Sequence, residues 1–234
     1  MTRFQWYGEG IPGVDLSALC GKLVVIEGAD SVGRSTQICM LRDWLESRGH
    51  AVFDTGLTRS ELTQEGLDQA KSGHTLGRKT MSLFYATDFA DRLENQIIPA
   101  LRAGYYVLSD RYFYSVCARD TVRGADPKWL EGVYGFALKP DLVLYLKADV
   151  EALIPRTLYG KGFSYWESGM DLALGVDLLD GFKIYQSRVI KELNGMSERF
   201  DWVTVDATRD PDAIFRDLQR AIDPILVPTP VGTP

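Results

Sequence analysis

An apolar run, a glycine-containing loop and an amphipathic segment follow one another at residues 21–49, and this succession restricts the possible folds more than any other feature. Gly28, Gly33, Arg34 and Ser35 fit the pattern G-x-x-x-x-G-[basic]-[ST], with arginine where the pattern usually has lysine. A strand that is followed by such a loop and then by a helix is typical of parallel sheets covered by helices. The pattern therefore predicts an α/β fold with the loop at the carboxyl end of the first strand.

The loop offers the groups that bind phosphate. Glycines let backbone N–H groups turn inward, and the positive end of the next helix attracts anions. We expect the loop to hold a nucleoside triphosphate, with Ser35 offering its hydroxyl to Mg²⁺. The predicted triphosphate-binding residues of the loop are Gly28, Asp30, Ser31, Val32, Gly33, Arg34, Ser35 and Thr36. The alternative is a chance glycine turn between a strand and a helix.

Arg34 makes catalysis by this loop a separate question from binding. Lysine is a compact point charge, whereas arginine is a larger planar fork, so the exchange is not conservative at a phosphate site. Arginine can still bridge two phosphate groups bidentately.

Five short apolar runs predict buried strands at residues 23–27, 51–54, 105–109, 142–146 and 202–205. Segments with helical apolar spacing alternate with them, and this alternation predicts a three-layer α/β sandwich with a parallel sheet. The long interval after the second run predicts two helices, at about 61–72 and 79–102, in an acceptor-binding insertion at about 55–102. We expect one domain at 21–223, an N-terminal extension at 1–20 packed on the domain or on a partner, and a proline-rich tail at 224–234.

Composition excludes several classes of function. The net charge of −6 argues against a nucleic-acid partner. No apolar run approaches the roughly 18 residues of a membrane span, and no signal peptide is recognisable at the N-terminus. Cys20, Cys39 and Cys117 lie far apart without a CxxC pair, and only two histidines are present, so reduced thiols and no zinc are expected. These features predict a cytoplasmic protein.

Several motifs resemble one known family. Residues 27–37 (EGADSVGRSTQ), 83–88 (LFYATD), 110–112 (DRY), 139–149 (KPDLVLYLKAD) and 206–208 (DAT) are similar, in this order, to motifs of the thymidylate kinase family. The likeness extends from about residue 22 to 222. It implies the strand order 2-3-1-4-5, ATP and Mg²⁺ as cofactors, a small nucleoside monophosphate as phosphoryl acceptor, and a homodimer.

The resemblance also implies roles for individual residues. Phe84 would stack on the acceptor base, although an aromatic residue on an apolar helix face is usually core, and Thr208 would lie at the adenine. The predicted catalytic residues are Arg34, Asp110, Arg111 and Arg156, and the predicted metal ligands are Ser35 and Asp110. The predicted acceptor-binding residues are Asp30, Arg59, Phe84, Arg92, Arg111, Tyr112, Arg119 and Asp120.

Some of these residues have structural alternatives. Asp30 could accept a hydrogen bond from a sugar hydroxyl or cap the helix, and Asp110 with Arg111 could form an ordinary ion pair at a strand end. A basic cluster at Arg119, Arg123, Arg156 and Lys161 could form a lid at about 156–172 or a solvated charged face.

The sequence departs from the family pattern around the acceptor. Asp88 and Asp120 stand near the positions at which the family reads thymine, and a carboxylate accepts hydrogen bonds without donating them. We therefore expect thymidylate not to be the preferred acceptor. The alternative is that Asp120 pairs with Arg119 or Arg123 and that Arg92 acts as the donor. The rival functions are a nucleotide-binding switch or pseudo-kinase, and a kinase for a non-nucleotide phosphorylated acceptor.

Overall fold

The computed structural model describes residues 3–73 and 76–226. Within them, five parallel strands form one sheet in the order β2-β3-β1-β4-β5, which confirms the predicted architecture. The strands are β1 (Lys22–Gly28), β2 (Val52–Gly56), β3 (Tyr106–Asp110), β4 (Leu142–Lys147) and β5 (Val203–Asp206). The helices are α1 (Arg34–Ser47), α2 (Glu61–Gly73), α3 (Arg78–Arg92), α4 (Ile98–Arg102), α5 (Phe113–Val122), α6 (Pro127–Val133), α7 (Val150–Tyr159), α8 (Leu178–Arg199) and α9 (Pro211–Ile222).

The central strand β1 has apolar side chains on both faces, as expected for a sheet covered on both sides. Leu23 and Val25 belong to a core cluster with α3, α4, α5 and α8. Val24 and Ile26 point the other way, into a cluster with α1 and α9. Alternate side chains of this one strand therefore pack against the two helical layers.

The register of the sheet brings the carboxyl ends of neighbouring strands side by side. Gly28 lies beside Leu146 of β4, and Gly56 of β2 lies beside Asp110 of β3. Because all strands are parallel, the loops after β1, β2 and β3 meet at one edge, where ligands bind in open α/β sheets.

The insertion after β2 contains the two predicted helical regions, with one difference. The predicted helix at 79–102 contains a π-helical turn at Leu93–Ile97 between α3 and α4. Pro99 follows this turn and has no N–H to donate to a carbonyl in the preceding turn, so the regular hydrogen-bond ladder cannot continue through it.

The N-terminal segment packs on the domain. Phe4 is 2% exposed, Trp6 forms an antiparallel bridge with Leu138, and the hydroxyls of Tyr7 and Tyr114 lie 2.6 Å apart. The boundaries at 20 and 223 stay predictions, and most of the predicted proline-rich tail, residues 227–234, lies outside the described residues. Among the helices of the described part of the chain, none has the length and hydropathy of a membrane span.

Candidate active site

The loop between β1 and α1 has the backbone geometry of a phosphate loop. Gly28 has φ 153°, Ser31 φ 62° and Gly33 φ 102°. A Cβ at Gly28 would lie 2.8 Å from both the Leu146 carbonyl and Val32, so a side chain does not fit there. Gly33 is the N-cap of α1 and gives it no side-chain cap, which leaves the first N–H groups of the helix available to an anion. Arg34, Ser35 and Thr36 form the first turn of α1.

Arg34 lies across the loop. Its Nε donates to Asp110 at 2.7 Å, and its Nη1 donates to the carbonyl of Gly28 at 2.6 Å and to that of Ala29. These bonds leave the Nη2 N–H groups of the guanidinium for a further acceptor. The side chain is thus anchored to the loop backbone, and its positive charge lies next to the loop.

Asp110 and Ser35 lie together at the end of β3. The Ser35 hydroxyl donates to Asp110 at 3.3 Å. Burial alone would raise the pKa of Asp110, but the charges of Arg34 and Arg111 outweigh burial and lower it. An ionised carboxylate and a hydroxyl are oxygen ligands of the kind Mg²⁺ prefers, so these two residues fit the predicted metal. The described residues contain no group of three or more His, Cys, Asp or Glu that could hold a metal ion.

Asp30 is the centre of a buried ion-pair network. It accepts hydrogen bonds from Arg111, from Arg119 at 2.9 and 3.0 Å and from the amide of Gln186 at 2.9 Å. Burial would raise the pKa of Asp30, but Arg111, Arg119 and Arg34 hold it well below its usual range. The N-cap of α1 is Gly33, without a side-chain hydrogen bond, so the alternative that Asp30 caps this helix is wrong.

Arg111 is held in an unusual conformation. Its φ is 70°, a left-handed value that non-glycine residues rarely adopt and that is often found at functional sites. Its backbone N–H donates to Ile26 at 2.9 Å, which fixes the residue against β1. Asp110 pairs with Arg34 and Arg111 pairs with Asp30, so the alternative of an Asp110–Arg111 ion pair is wrong.

A cavity of about 400 Å³ opens beside the loop. Its walls come from the loop after β1, the segment after β2, α2, α3, the end of β3, α5, the segment after α7 and α8. Basic side chains outnumber acidic ones. The basic residues are Arg34, Arg59, Lys71, Arg78, Arg111, Arg119 and Arg123, and the acidic residues are Asp30, Asp110, Asp120, Glu167 and Asp171. The structure thus brings together seven residues predicted for the site, which are Asp30, Arg34, Arg59, Asp110, Arg111, Arg119 and Asp120.

Comparison with known proteins agrees with this geometry. A family model described as thymidylate kinase matches residues 26–165. The chain belongs to the thymidylate kinase family. "Probable thymidylate kinase 2" of Saccharolobus solfataricus is 36% identical over 208 residues, which cover 88% of this chain and 95% of that protein. "Probable thymidylate kinase" of Thermococcus kodakarensis is 36% identical over 213 residues, which cover 87% of this chain and 98% of that protein.

One residue predicted from the family resemblance to stack on the base does not line the cavity. Phe84 packs toward α2, where a Cβ added to Gly66 would meet its ring at 3.1 Å. The next residue, Tyr85, lines the cavity instead. Successive side chains of a helix point about 100° apart around its axis. Tyr85 therefore faces the cavity, whereas Phe84 faces α2.

Two further acceptor-binding predictions fail because the side chains are buried elsewhere. Arg92 is fully buried and pairs with Asp88 at 3.0 Å. Asp88 also accepts from the N–H groups of Thr58 at 3.1 Å and Ser60 at 3.0 Å, so it fixes the loop after β2 and does not read a base.

Tyr112 is likewise part of the core. It is fully buried, and its hydroxyl donates to the Leu138 carbonyl at 3.0 Å. Its backbone N–H donates to Glu27 at 2.8 Å, so its position in the family's DRY motif serves the packing of the strand end.

Arg156 and Thr208 are not among the residues that line the cavity. Arg156 donates to the Val32 carbonyl at 3.2 Å, which places its charge against the phosphate loop. Thr208 is exposed just after β5 and donates from N–H and hydroxyl to Asp206 at 2.9 and 2.7 Å. Arg156 therefore lies next to the phosphate loop, and the place of Thr208 at the adenine stays a prediction.

The predicted lid segment, residues 156–172, covers one side of the cavity. Trp166 donates from its indole to the Lys71 carbonyl at 3.2 Å, and Asp171 accepts from Arg123 at 3.0 and 3.2 Å. Lys161 is 63% exposed and pairs with Glu167, so it belongs to the solvated surface. Arg119 of α5 and Arg123, which directly follows α5, line the cavity wall and are not part of the lid.

Sequence reasoning missed two buried polar residues. Gln186 donates to both Asp30 and the Glu167 carbonyl at 2.9 Å and so joins α8, the loop and the lid segment. Glu27 accepts from the Ser115 hydroxyl at 2.5 Å, and burial raises the pKa of its carboxyl. Gln186 stands on the apolar stripe of α8, and Glu27 ends the apolar run of β1. The sequence signal that could have identified both residues is a polar side chain within a pattern of otherwise apolar positions.

Proposed function

We propose that this chain transfers the γ-phosphoryl group of ATP to a nucleoside monophosphate. The observation that carries the proposal is the Arg34–Asp110 ion pair, which joins the phosphate loop to a cavity lined by arginines. Membership of a family whose relatives are named thymidylate kinases supports the same reaction type.

The donor would bind on the loop. The amides of residues 33–36 would hold the phosphates together with Arg34, and Arg156 would approach from α7. Ser35 and Asp110 would hold Mg²⁺, which when bound neutralises charge on the phosphate oxygens. The loop geometry, the proximity of the Ser35 hydroxyl to the Asp110 carboxylate and the low pKa of Asp110 support this assignment.

The acceptor would lie in the cavity with its phosphate toward Arg34. Arg59 is one candidate ligand for that phosphate, because it lines the cavity and is anchored by Asp54 at 2.8 Å. Arg111 is the other, and its bond to Asp30 fixes its direction. Catalysis would consist of positioning and charge neutralisation without a covalent intermediate.

The test is ADP formation from ATP and Mg²⁺ with a panel of nucleoside monophosphates, using Asp110→Asn as the inactive control. We expect acceptor-dependent ADP from the wild-type protein and little from the control. ATP binding that is not affected by any of the acceptors would favour the nucleotide-binding switch. ADP formed only with other phosphorylated compounds would favour the non-nucleotide kinase.

We also propose that the working assembly is the homodimer implied by the family resemblance, and light scattering would measure its mass. The cytoplasmic location stays a prediction from the sequence, which cell fractionation would test.

A further inference from the structure

Glu27 is a buried acid near the end of β1 that the reaction proposed above does not use. Its exposed fraction is 0%. One carboxylate oxygen accepts a hydrogen bond from the backbone N–H of Tyr112 at 2.8 Å, and the other accepts one from the Ser115 hydroxyl at 2.5 Å. A buried carboxyl group costs free energy unless it is hydrogen-bonded. These two bonds therefore account for an acid at this position in the core.

The two bonds hold the start of α5. Tyr112 is the N-cap of this helix and gives it no side-chain cap, and Ser115 is its third residue. In a capping box, a glutamate or glutamine at the third helical position accepts from the N–H of the N-cap residue. A serine stands at that position here, and Glu27 supplies the bond from the neighbouring strand. The direction in which α5 leaves β3 therefore depends on Glu27.

Arg111 directly precedes this cap and has the left-handed φ of 70°. Its own N–H donates to the Ile26 carbonyl at 2.9 Å, and its carbonyl accepts from the Ser109 hydroxyl at 2.6 Å. The N–H of the next residue is the one that Glu27 binds. The peptide groups on both sides of Arg111 are thus fixed to β1, and a rotation to an ordinary φ has to break these bonds. A non-glycine residue keeps such a conformation only where its surroundings enforce it.

We propose that Glu27 is a positioning residue for the phosphoryl acceptor, because it holds Arg111 in the left-handed conformation that directs the guanidinium to Asp30 and the cavity. The inference rests on the proposed function and deepens it by adding a residue that acts on the acceptor site without touching a ligand. Arg111 bonds to Asp30 and lines the cavity. Relaxation of its backbone would turn the side chain out of this direction.

The first test is Glu27→Met, which keeps roughly the same volume and removes both bonds. We expect the acceptor affinity, measured by calorimetry, to fall by about tenfold or more and the acceptor KM to rise in parallel, the value of one buried charge-assisted hydrogen bond. ATP affinity should change by less than about twofold. The probe is the nucleoside monophosphate that gives most ADP with the wild-type protein, or thymidylate if none does.

Two variants are matched controls for this test. Glu27→Gln should restore most of the acceptor affinity, because its amide can accept from the N–H of Tyr112 and donate to the Ser115 oxygen. Ser115→Ala removes only the bond that lies away from Arg111, so its acceptor affinity should stay close to that of the wild type. Equal losses in Ser115→Ala and Glu27→Met would count against the positioning role.

A double-mutant cycle separates positioning from a general effect on the fold. If Glu27 acts through Arg111, Glu27→Met should add less than about twofold to the loss of acceptor affinity in Arg111→Ala. Losses that simply multiply would overturn the inference. Urea titration would check that each variant folds. If Glu27→Met does not fold, Glu27→Asp replaces it in the cycle, because its carboxylate is one methylene shorter and cannot reach Tyr112 from the same backbone position.

A crystal structure of Glu27→Met, or of Glu27→Asp in its place, gives a readout that needs no ligand. We expect the φ of Arg111 to leave the left-handed region, and a φ that stays near 70° would refute the inference whatever the protein catalyses. ADP formation by the wild type with unchanged acceptor affinity in Glu27→Met would also refute it and leave the proposed function intact. A changed Arg111 conformation in a protein that forms no ADP would support the clamp and refute phosphoryl transfer.

Discussion

The Arg34 guanidinium bonds to Asp110 and to the carbonyls of Gly28 and Ala29, so it belongs to the loop structure as well as to a phosphate site. A lysine ammonium has three donors on a single atom and cannot span these acceptors in the same way. The planar guanidinium therefore explains how an arginine side chain can occupy this position and stay hydrogen-bonded to the loop.

Replacing Arg34 should weaken triphosphate binding without unfolding the protein. Loss of a charge-assisted hydrogen bond in Arg34→Ala is worth ~1.5–3 kcal/mol, or roughly ten- to a hundredfold in ATP affinity. Calorimetry would measure the affinity, with Arg42→Ala as the control because Arg42 lies on the same helix and pairs with the exposed Asp43. Equal ATP affinity in Arg34→Ala and wild type would mean that the triphosphate binds elsewhere.

At the scale of the element, the turn from β1 into α1 depends on Gly28. Its φ of 153° is one that L-residues rarely adopt, and the Leu146 carbonyl of the neighbouring strand approaches within 2.8 Å of the missing Cβ. The loop can therefore lie close to β4 only with glycine at this position.

Gly28→Ala should destabilise the fold and reduce ATP binding. Backbone strain alone costs about 1–3 kcal/mol, and the contact with Leu146 adds to it. Urea titration would measure the free energy of unfolding. Gly195→Ala is the control, because Gly195 lies in α8 with no atom near its missing Cβ; it should stabilise by about 0.5–1 kcal/mol. Similar effects of the two changes would contradict the steric argument.

At the scale of the whole molecule, the Asp30 network connects elements far apart in the sequence. Arg111 follows β3, Arg119 belongs to α5 and Gln186 belongs to α8. Through Gln186 the same network reaches the lid segment at Glu167. The phosphate loop is thus held by the packed domain and not by its own residues alone.

This network predicts a loss of stability in acid. The pKa of folded Asp30 lies well below its ordinary value of 3.8, so the unfolded chain binds more protons than the folded one between these two values. The stabilisation from Asp30 is therefore complete above the ordinary pKa and is lost as the pH falls through the folded pKa. Urea titrations from pH 6 to pH 3 would measure it in wild type, Asp30→Asn and the exposed control Asp68→Asn.

Asp30→Asn should have a lower free energy of unfolding than wild type at pH 6, because it leaves two arginines without their shared carboxylate. The difference should shrink as the pH falls, whereas Asp68→Asn should follow wild type throughout. A difference that stays constant over the whole range would show that Asp30 does not stabilise through its charge.

The strands, the main helices and the phosphate loop could be predicted from the amino-acid sequence. The apolar runs around Val24 and Val107 are continuous, and the loop residues from Gly28 to Thr36 are neighbours in the chain. Their geometry depends on local backbone conformation and on burial on both faces of the sheet, which a short sequence pattern records.

Which side chains share the cavity depends on how the helices and loops pack, and the sequence pattern did not predict it. The rotation of α3 turned Tyr85 inward in place of Phe84. The loop after β2 took Asp88 as a structural partner, and Arg92 paired with Asp88. Asp30 took Arg119, which left Asp120 without an ion-pair partner among the described residues. An ion pair depends on which groups fold to within a few ångströms of each other, and residues adjacent in a helix point in different directions, so the spacing of residues in the chain does not specify these partners.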